Sequence, residues 1–336
     1  MSKKIIYFVQ GYEPKVEAIS KEVAILARNF DSKIFDLATK FKFVSNKKIT
    51  SIYYRLYPLA FILMKLNDKK NKISHIYASL GDFPYLTFLK KKPIVITGIS
   101  LPPKERIKKS IKKLKRLNKI VVECNRDKRK LIEWGIHIKK IEVVYPGIDL
   151  KKFSFAKAKG NFNILFASSP MREIDFEKKG VNLVLRAAKE MAEIGFIMLW
   201  RNVLLEKIKN KIKKDNLKNV LLVNKYIENM NDAFAQAHAT IMPYMQENDK
   251  SCPLSLIESL AAGKPVIVSD KVGVSDIIKK EKCGVVFKNE KDIVSAVKEL
   301  KKNYRDYQKN CRKTALKYFS IERFIKDYQV IYHELS

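Results

Sequence analysis

The sequence predicts an α/β protein built as two similar halves, each a doubly wound parallel sheet. Three observations predict it. The chain has 336 residues, too many for most single cores and enough for two ordinary domains. Short β-branched runs alternate with segments of helical period, the pattern of a parallel sheet covered on both faces. The alternation breaks at Pro146-Gly147 and starts again at Asn161, across a basic stretch, 151–160, that reads as a linker. The expected domains are 1–155 and 156–318, with a final segment 319–336.

In the first half, Ile5–Val9 reads as a buried strand, and its apolar run is too short for a signal peptide. Glu13-Pro14 opens a helix carrying Val16, Ile19, Val23, Leu26 and Ala27 at spacings of three and four, with proline at a favourable first position. Strands follow at Lys33–Leu37, Ser74–Ala78, Pro93–Thr97, Ile120–Val122 and Ile141–Val144. The run 57–66 reads as a core helix, since no stretch approaches the ~18–20 apolar residues of a membrane span. Ile107, Ile111, Leu114 and Leu117 mark one face of another helix, and residues 126–134 form a third, stopped by Gly135. In the second half, strands are expected at 163–168, 196–200, 220–223, 239–243 and 266–268. Helices lie between them, and a last helix follows Phe319-Ser320. Ligands of such sheets bind at the C-terminal ends of the strands, here expected in a cleft between the halves.

Composition narrows the chemistry. Cys124, Cys252, Cys283 and Cys311 are far apart and form no metal spacing, so disulfides are not expected and a reducing cytoplasmic compartment is. There is no G-x-G-x-x-G, P-loop, G-x-S-x-G, H-E-x-x-H or D-x-D. His75, His137, His238 and His333 are scattered and read as structural. Lys and Arg number 68 against 35 Asp and Glu, a net charge of +33. General richness in Lys, Ile, Asn, Phe and Tyr accounts for much of this excess. It accounts poorly for KERIKKSIKKLKRLNK, 104–119, whose cations surround the apolar face just named.

Three features converge in the second half. In SCPLSLIESLAAGKPVIVSD, Pro253 suits a first helical turn, with Cys252 or Ser251 as N-cap. The free N–H groups of Leu254 and Ser255 at that positive helix end suit a phosphate. Glu258, one turn on, is placed to accept hydrogen bonds from sugar hydroxyls. In SSPMREIDFEKKG, 168–180, Arg172 and Lys179 bracket a loop between strand and helix. Two cations there suit a pyrophosphate, the guanidinium in bidentate fashion; solvated surface charges are the plainer alternative. The third feature is the polar loop of HATIMPYMQENDKSCP, 238–253.

Together these segments resemble the retaining glycosyltransferases of family 4. The likeness runs through ILFASSP…FEKKGVNLVLRAA, NDAFAQAHATIMPY, PLSLIESLAAGKPVIVSDKVGVSDII and CGVVF, and touches the first half at IEVVYPGIDLKKF. It implies the GT-B fold: two Rossmann-like domains facing across a cleft, an acceptor-binding first domain, a nucleotide-sugar-binding second domain and a C-terminal helix crossing back to the first. Carried over, it gives Arg172 and Lys179 the neutralisation of the donor diphosphate. Glu258 becomes the second glutamate of E-x7-E, holding the donor ribose, and the backbone of Leu254 and Ser255 the phosphate seat. Gly11 belongs to the loop near the transferred sugar. Two positions depart. Lys250 stands where the first glutamate is expected, with Asp249 and Glu247 close by as substitutes. Gly98-Ile99-Ser100 has no histidine where the family often has one.

The resemblance implies transfer of a sugar from a nucleotide diphosphate, UDP or GDP, to an acceptor hydroxyl with retention, without metal or other cofactor. A glycan, a lipid or a lipid-linked glycan would serve as acceptor. The basic helix adds an anionic membrane surface as partner, giving peripheral attachment at the cytoplasmic face. Nucleic acid is not expected, because aromatics are not interleaved with the basic run. A catalytically silent nucleotide-sugar or polyanion binder is the alternative, drawn from Lys250 and the absent histidine.

Overall fold

The computed structural model describes the chain except residues 1–4, 16, 42, 81–88, 90–92, 156–157, 159, 248–249 and 336, and the backbone alone at 57 and 109. The chain divides into two compact units, Met1–Gly147 with Ile321–Ser336, and Ile148–Ser320.

In the first unit, β1 (Ile5–Gln10), α1 (Ala18–Asn29), β2 (Ser32–Ala38), β3 (Phe43–Ser45) and β4 (Ile49–Tyr53) lead to α2 (Tyr57–Lys69) and β5 (Ile73–Ala78). Then come β6 (Ile94–Gly98), α3 (Lys104–Leu114), β7 (Lys119–Val122), α4 (Asn125–Glu133) and β8 (Ile141–Val143). The sheet order is β3-β4-β2-β1-β5-β6-β7-β8, and only β3 pairs antiparallel. Successive strand residues alternate between faces. Ile6 and Phe8 of β1 therefore join the core under α2, α3 and α4. Ile5, Tyr7 and Val9 face α1 and the C-terminal helix.

In the second unit, β9 (Asn163–Phe166), α5 (Asp175–Lys178), α6 (Val181–Glu190), β10 (Gly195–Leu199), α7 (Leu205–Lys214) and β11 (Val220–Val223) form one wing. The other holds α8 (Met230–Gln236), β12 (Ala239–Met242), α9 (Leu254–Ala261), β13 (Val266–Ser269), α10 (Ser275–Lys280), β14 (Gly284–Phe287), α11 (Ile293–Lys302) and α12 (Tyr304–Phe319). All six strands are parallel, in the order β11-β10-β9-β12-β13-β14. α13 (Ile321–Glu334) returns to the first unit.

The last helix is fastened by a buried polar chain. Tyr77 Oη donates to Tyr328 Oη at 3.0 Å, and Tyr328 lies 2.7 Å from Thr97 Oγ1. Thr97 reaches His75 Nε2 at 2.8 Å, His75 Nδ1 lies 2.6 Å from Tyr332 Oη, and Tyr332 donates to Tyr7. Read in that direction, the chain keeps His75 neutral with its proton on Nδ1. Burial lowers its pKa from 6.5 to about 3. His75 is thus structural, as its isolation in the sequence suggested.

Two local expectations fail. α1 begins at Ala18 rather than at Pro14. Glu13 N–H goes to Ser20 Oγ and Glu17 N–H to the Glu13 carbonyl, which closes a separate turn around Pro14. Val16 lies outside the described residues. The segment after Gly147 is also no free linker. Leu150–Lys152 forms a 3-10 turn, and Arg312 of α12 donates to the carbonyls of Leu150 and Phe153. This segment belongs to the compact unit that begins at Ile148. Sequence reading did not single out the edge pair β3–β4, whose first strand is only Phe43–Ser45 with both end residues exposed.

Candidate functional site

In the second unit β9 is the first strand, and the chain builds outward from it in both directions. The strand order reverses between β9 and β12. The C-terminal ends of those two strands are the usual ligand position in such sheets. The sequence places Arg172 and Lys179 on the first of these loops and α9 at the end of the second.

The β9 loop is shaped by Asp175. One of its carboxylate oxygens accepts the backbone N–H groups of Met171 and Arg172 at 3.1 and 3.0 Å. The other accepts the Arg172 guanidinium at 3.2 Å. Burial alone would raise this carboxyl's pKa, but the Arg172 side chain and the two N–H groups outweigh burial and lower it. Asp175 therefore remains charged and holds the loop around Arg172, whose side chain is 71% exposed and open to a ligand. Lys179 is half-buried and turns back on the same loop, donating to the Ser169 carbonyl at 3.2 Å. Ser169 Oγ ties the loop to β10 through the Leu199 carbonyl.

Tyr244 joins this loop to its neighbours. Its hydroxyl lies 2.9 Å from Ser168 Oγ, and its carbonyl accepts from Ser269 Oγ at the end of β13. Met245 N–H donates to the Lys178 carbonyl at 2.8 Å, so the β12 loop abuts the residue before Lys179. Gly180 permits that approach. Its φ is +67°, and a Cβ there would stand 2.0 Å from the Pro243 carbonyl oxygen.

α9 starts at Leu254, one position later than expected. Its N-cap is Pro253, not Cys252 or Ser251. The Pro253 ring fixes φ at −63°, and its carbonyl accepts from Leu256 and Ile257, so the preceding residues fall outside the helix. Proline offers no side-chain acceptor, so the cap satisfies none of the first-turn N–H groups. Leu254 and Ser255 are half-buried at this end, and Ser255 Oγ donates to Met242 Sδ at 3.7 Å. Glu258 is half-buried in the next turn. Lys250 is half-buried ahead of the helix, and Asp249 lies outside the described residues.

The structure thus brings Arg172 and Lys179 onto one loop, and that loop against the one leading to Leu254, Ser255 and Glu258. Gly11 belongs to the first unit. It follows β1, the first strand of its own sheet, with φ +69° and an N–H bonded to the Leu37 carbonyl. Buried Asp36 accepts the next N–H, of Tyr12, at 2.9 Å and the Ser51 hydroxyl at 3.0 Å. Sequence reading did not single out Asp36, Asp175, Gly180 or Tyr244. Asp175 and Gly180 left a trace, the i,i+3 spacing from Arg172 and a glycine just before a helix. Tyr244 and Asp36 left none, because their partners are remote in sequence.

These two loops and the start of α9 all lie within one segment of the chain. Residues 155–318 match the family described as glycosyl transferases group 1. Solved structures agree over nearly the whole chain. Anabaena HepE in complex with UDP and glucose superposes with a TM-score of 0.79, covering 98% of this chain and 99% of that chain at 11% identity. Sucrose-phosphate synthase from Thermosynechococcus elongatus gives 0.80 over 99% of both chains at 14% identity. The lipopolysaccharide outer core galactosyltransferase WaaB, in its apo form, gives 0.74 over 98% and 99% at 14% identity. No curated protein matches by sequence. The fold is that of the GT-B glycosyltransferases, two Rossmann-like α/β domains with parallel sheets.

Proposed function

We propose that the chain is a glycosyltransferase moving a sugar from a nucleotide-diphosphate donor to an acceptor hydroxyl with retention of configuration. The observation that supports it best is the grouping of Arg172, Lys179 and the α9 start on loops abutting at the switch point of the second sheet. In this reading Arg172 and Lys179 meet the diphosphate, with the N–H groups of Leu254 and Ser255 beside them. Glu258 holds the ribose hydroxyls, and the family likeness assigns Asp249, outside the described residues, and Lys250 to the donor as well. As the glycosidic bond breaks, negative charge grows on the leaving diphosphate. The two cations and the helix end stabilise it without reorganising, and they take the part a metal plays where a D-x-D motif is present. The family likeness assigns Gly11, on the first unit, to the transferred sugar. Of the UDP- and GDP-sugar donors expected, the HepE complexes with UDP and UDP-glucose favour the UDP-sugar, and the galactosyltransferase neighbour favours a glycan or lipid-linked glycan acceptor.

One observation favours a silent nucleotide-sugar binder instead. Lys250 puts a cation where the family pattern expects a carboxylate. A thermal-shift screen over UDP, GDP, ADP and dTDP, followed by hydrolysis of the matching sugar conjugates, separates the readings. Stabilisation by one nucleotide with turnover of its conjugate supports the enzyme. Stabilisation without turnover of any conjugate supports the binder.

A further inference from the structure

The second unit holds a cavity that the transfer reaction does not use. It lies between α10, the start of β14, α11 and α12, with a volume of about 540 Å³, within the usual range of small-molecule sites. β14 begins at Gly284, which lines the cavity, so the cavity sits at the N-terminal end of an edge strand. The loops of the candidate site leave the opposite, C-terminal ends of β9 and β12 in the same parallel sheet.

The lining divides by charge. On the α10 side stand Lys279 and Lys282, and neither makes an ion pair among the described residues. Lys279, in the last turn, also meets the negative end of α10. Lys282 lies beyond that turn. It is the left-handed residue that ends the helix, with φ +48°, a place that glycine or asparagine fills at less cost. Asn310 Nδ2 donates to its carbonyl at 3.0 Å and fixes that backbone. A cation thus occupies a costly backbone position beside a cavity, which closing a helix does not require. On the α11–α12 side stand Glu299 and Asp306. Glu299 accepts the Tyr307 hydroxyl at 2.6 Å, and Asp306 accepts from Lys309 at 2.7 Å. Each carboxylate keeps lone pairs for further donors. Asn303, the N-cap residue of α12, makes no side-chain capping bond and adds an amide to the lining.

We propose that this cavity binds a hexose monophosphate, at a site separate from the sugar-transfer reaction. The phosphate meets the ammonium groups of Lys279 and Lys282, which act as point charges. The ring hydroxyls donate to Glu299 and Asp306 and accept from the Asn303 amide. A polyanion fits less well, because its further charges would face the two carboxylates. Calorimetric titration of the full chain with the 6-phosphates of glucose, mannose and galactose tests the proposal. At least one should bind one-to-one, with the parent hexose and inorganic phosphate each at least about ten-fold weaker. Lys279→Gln and Lys282→Gly should each weaken binding about ten-fold, and Asn303→Ala about five-fold. Lys282→Gly should leave the melting temperature unchanged or higher, because glycine adopts the left-handed conformation freely. Its lost affinity is then no loss of fold. Binding should persist undiminished in the Arg172→Ala/Lys179→Ala double variant, which separates the cavity from the candidate site. Binding of none of the three sugar phosphates would overturn the proposal. So would loss of binding in the double variant, or equal affinity for inorganic phosphate, which would reduce the lysines to a general anion patch. A failed nucleotide screen alters none of these outcomes.

Discussion

In the first unit, the loop leaving the first strand is built around a glycine; in the second, the corresponding loop is built around a cation. The topology is the same. β1 lies between β2 and β5, as β9 lies between β10 and β12, so each loop sits where its strand order reverses. Each loop is also shaped by a buried aspartate. Asp36 accepts the Tyr12 N–H and leaves Gly11 as bare backbone, while Asp175 accepts the Met171 and Arg172 N–H groups and presents a guanidinium. One device therefore gives a loop that opens on bare backbone in one unit and a loop that presents a guanidinium in the other. The units also differ in how they close their far ends. The first seals α13 to its sheet with a buried Tyr–His–Thr network, where the second relies on apolar packing of α6 and α11 against β10 and β14.

The largest effect that would break this comparison is chemical. Arg172→Ala and Lys179→Ala should each reduce sugar transfer by about 10²–10³ with the melting temperature nearly unchanged for Arg172→Ala, since that side chain is mostly exposed. Turnover close to wild type in both variants would leave the second loop no more specialised than the first.

Next in size is the junction between the β9 and β12 loops. At Gly180→Ala the positive φ costs about 1–2 kcal/mol, and the Cβ meets the Pro243 carbonyl, which adds a similar amount through backbone displacement. Denaturant unfolding should show the second unit destabilised by about 2–4 kcal/mol. A loss of only a few tenths would mean that the two loops do not depend on this contact.

The buried network of the first unit gives an effect that depends on pH and is absent near neutrality. Unfolded, His75 takes up a proton near 6.5; folded, burial keeps it neutral down to about 3. Between those values the unfolded chain binds more protons, so His75 contributes stability that is complete above about 6.5 and is lost as the pH falls. The slope is up to about 1.4 kcal/mol per pH unit. His75→Gln should remove this part of the pH dependence of the first unit's unfolding. An unchanged slope would show that the ring is not held neutral.

The alternation of strand and helix was plain in the sequence because buried parallel strands read as continuous β-branched runs, as in Ile94–Thr97 and Val266–Val268. Arg172, Lys179 and the α9 start were legible because charge and helix-start residues stand out beside apolar runs. Contacts between remote residues were not. Tyr244 binding Ser168 and Asp36 receiving Tyr12 depend on strands brought together by topology, and neither side chain differs in sequence from any surface Tyr or Asp. The fastening of 148–153 by Arg312 was hidden for the same reason, in a stretch whose composition suggested a linker.

In the proposed reading the switch point of the second unit seats a nucleoside diphosphate through Arg172 and Lys179. Calorimetric titration of UDP, and then GDP, into the wild-type chain and the Arg172→Ala/Lys179→Ala double variant tests it most directly. Saturable one-to-one binding of one of the two nucleotides by the wild type is expected, weakened at least about ten-fold in the double variant, as loss of charge-assisted phosphate contacts requires. Equal affinity in the two proteins, or no binding of either nucleotide to the wild type, would contradict it.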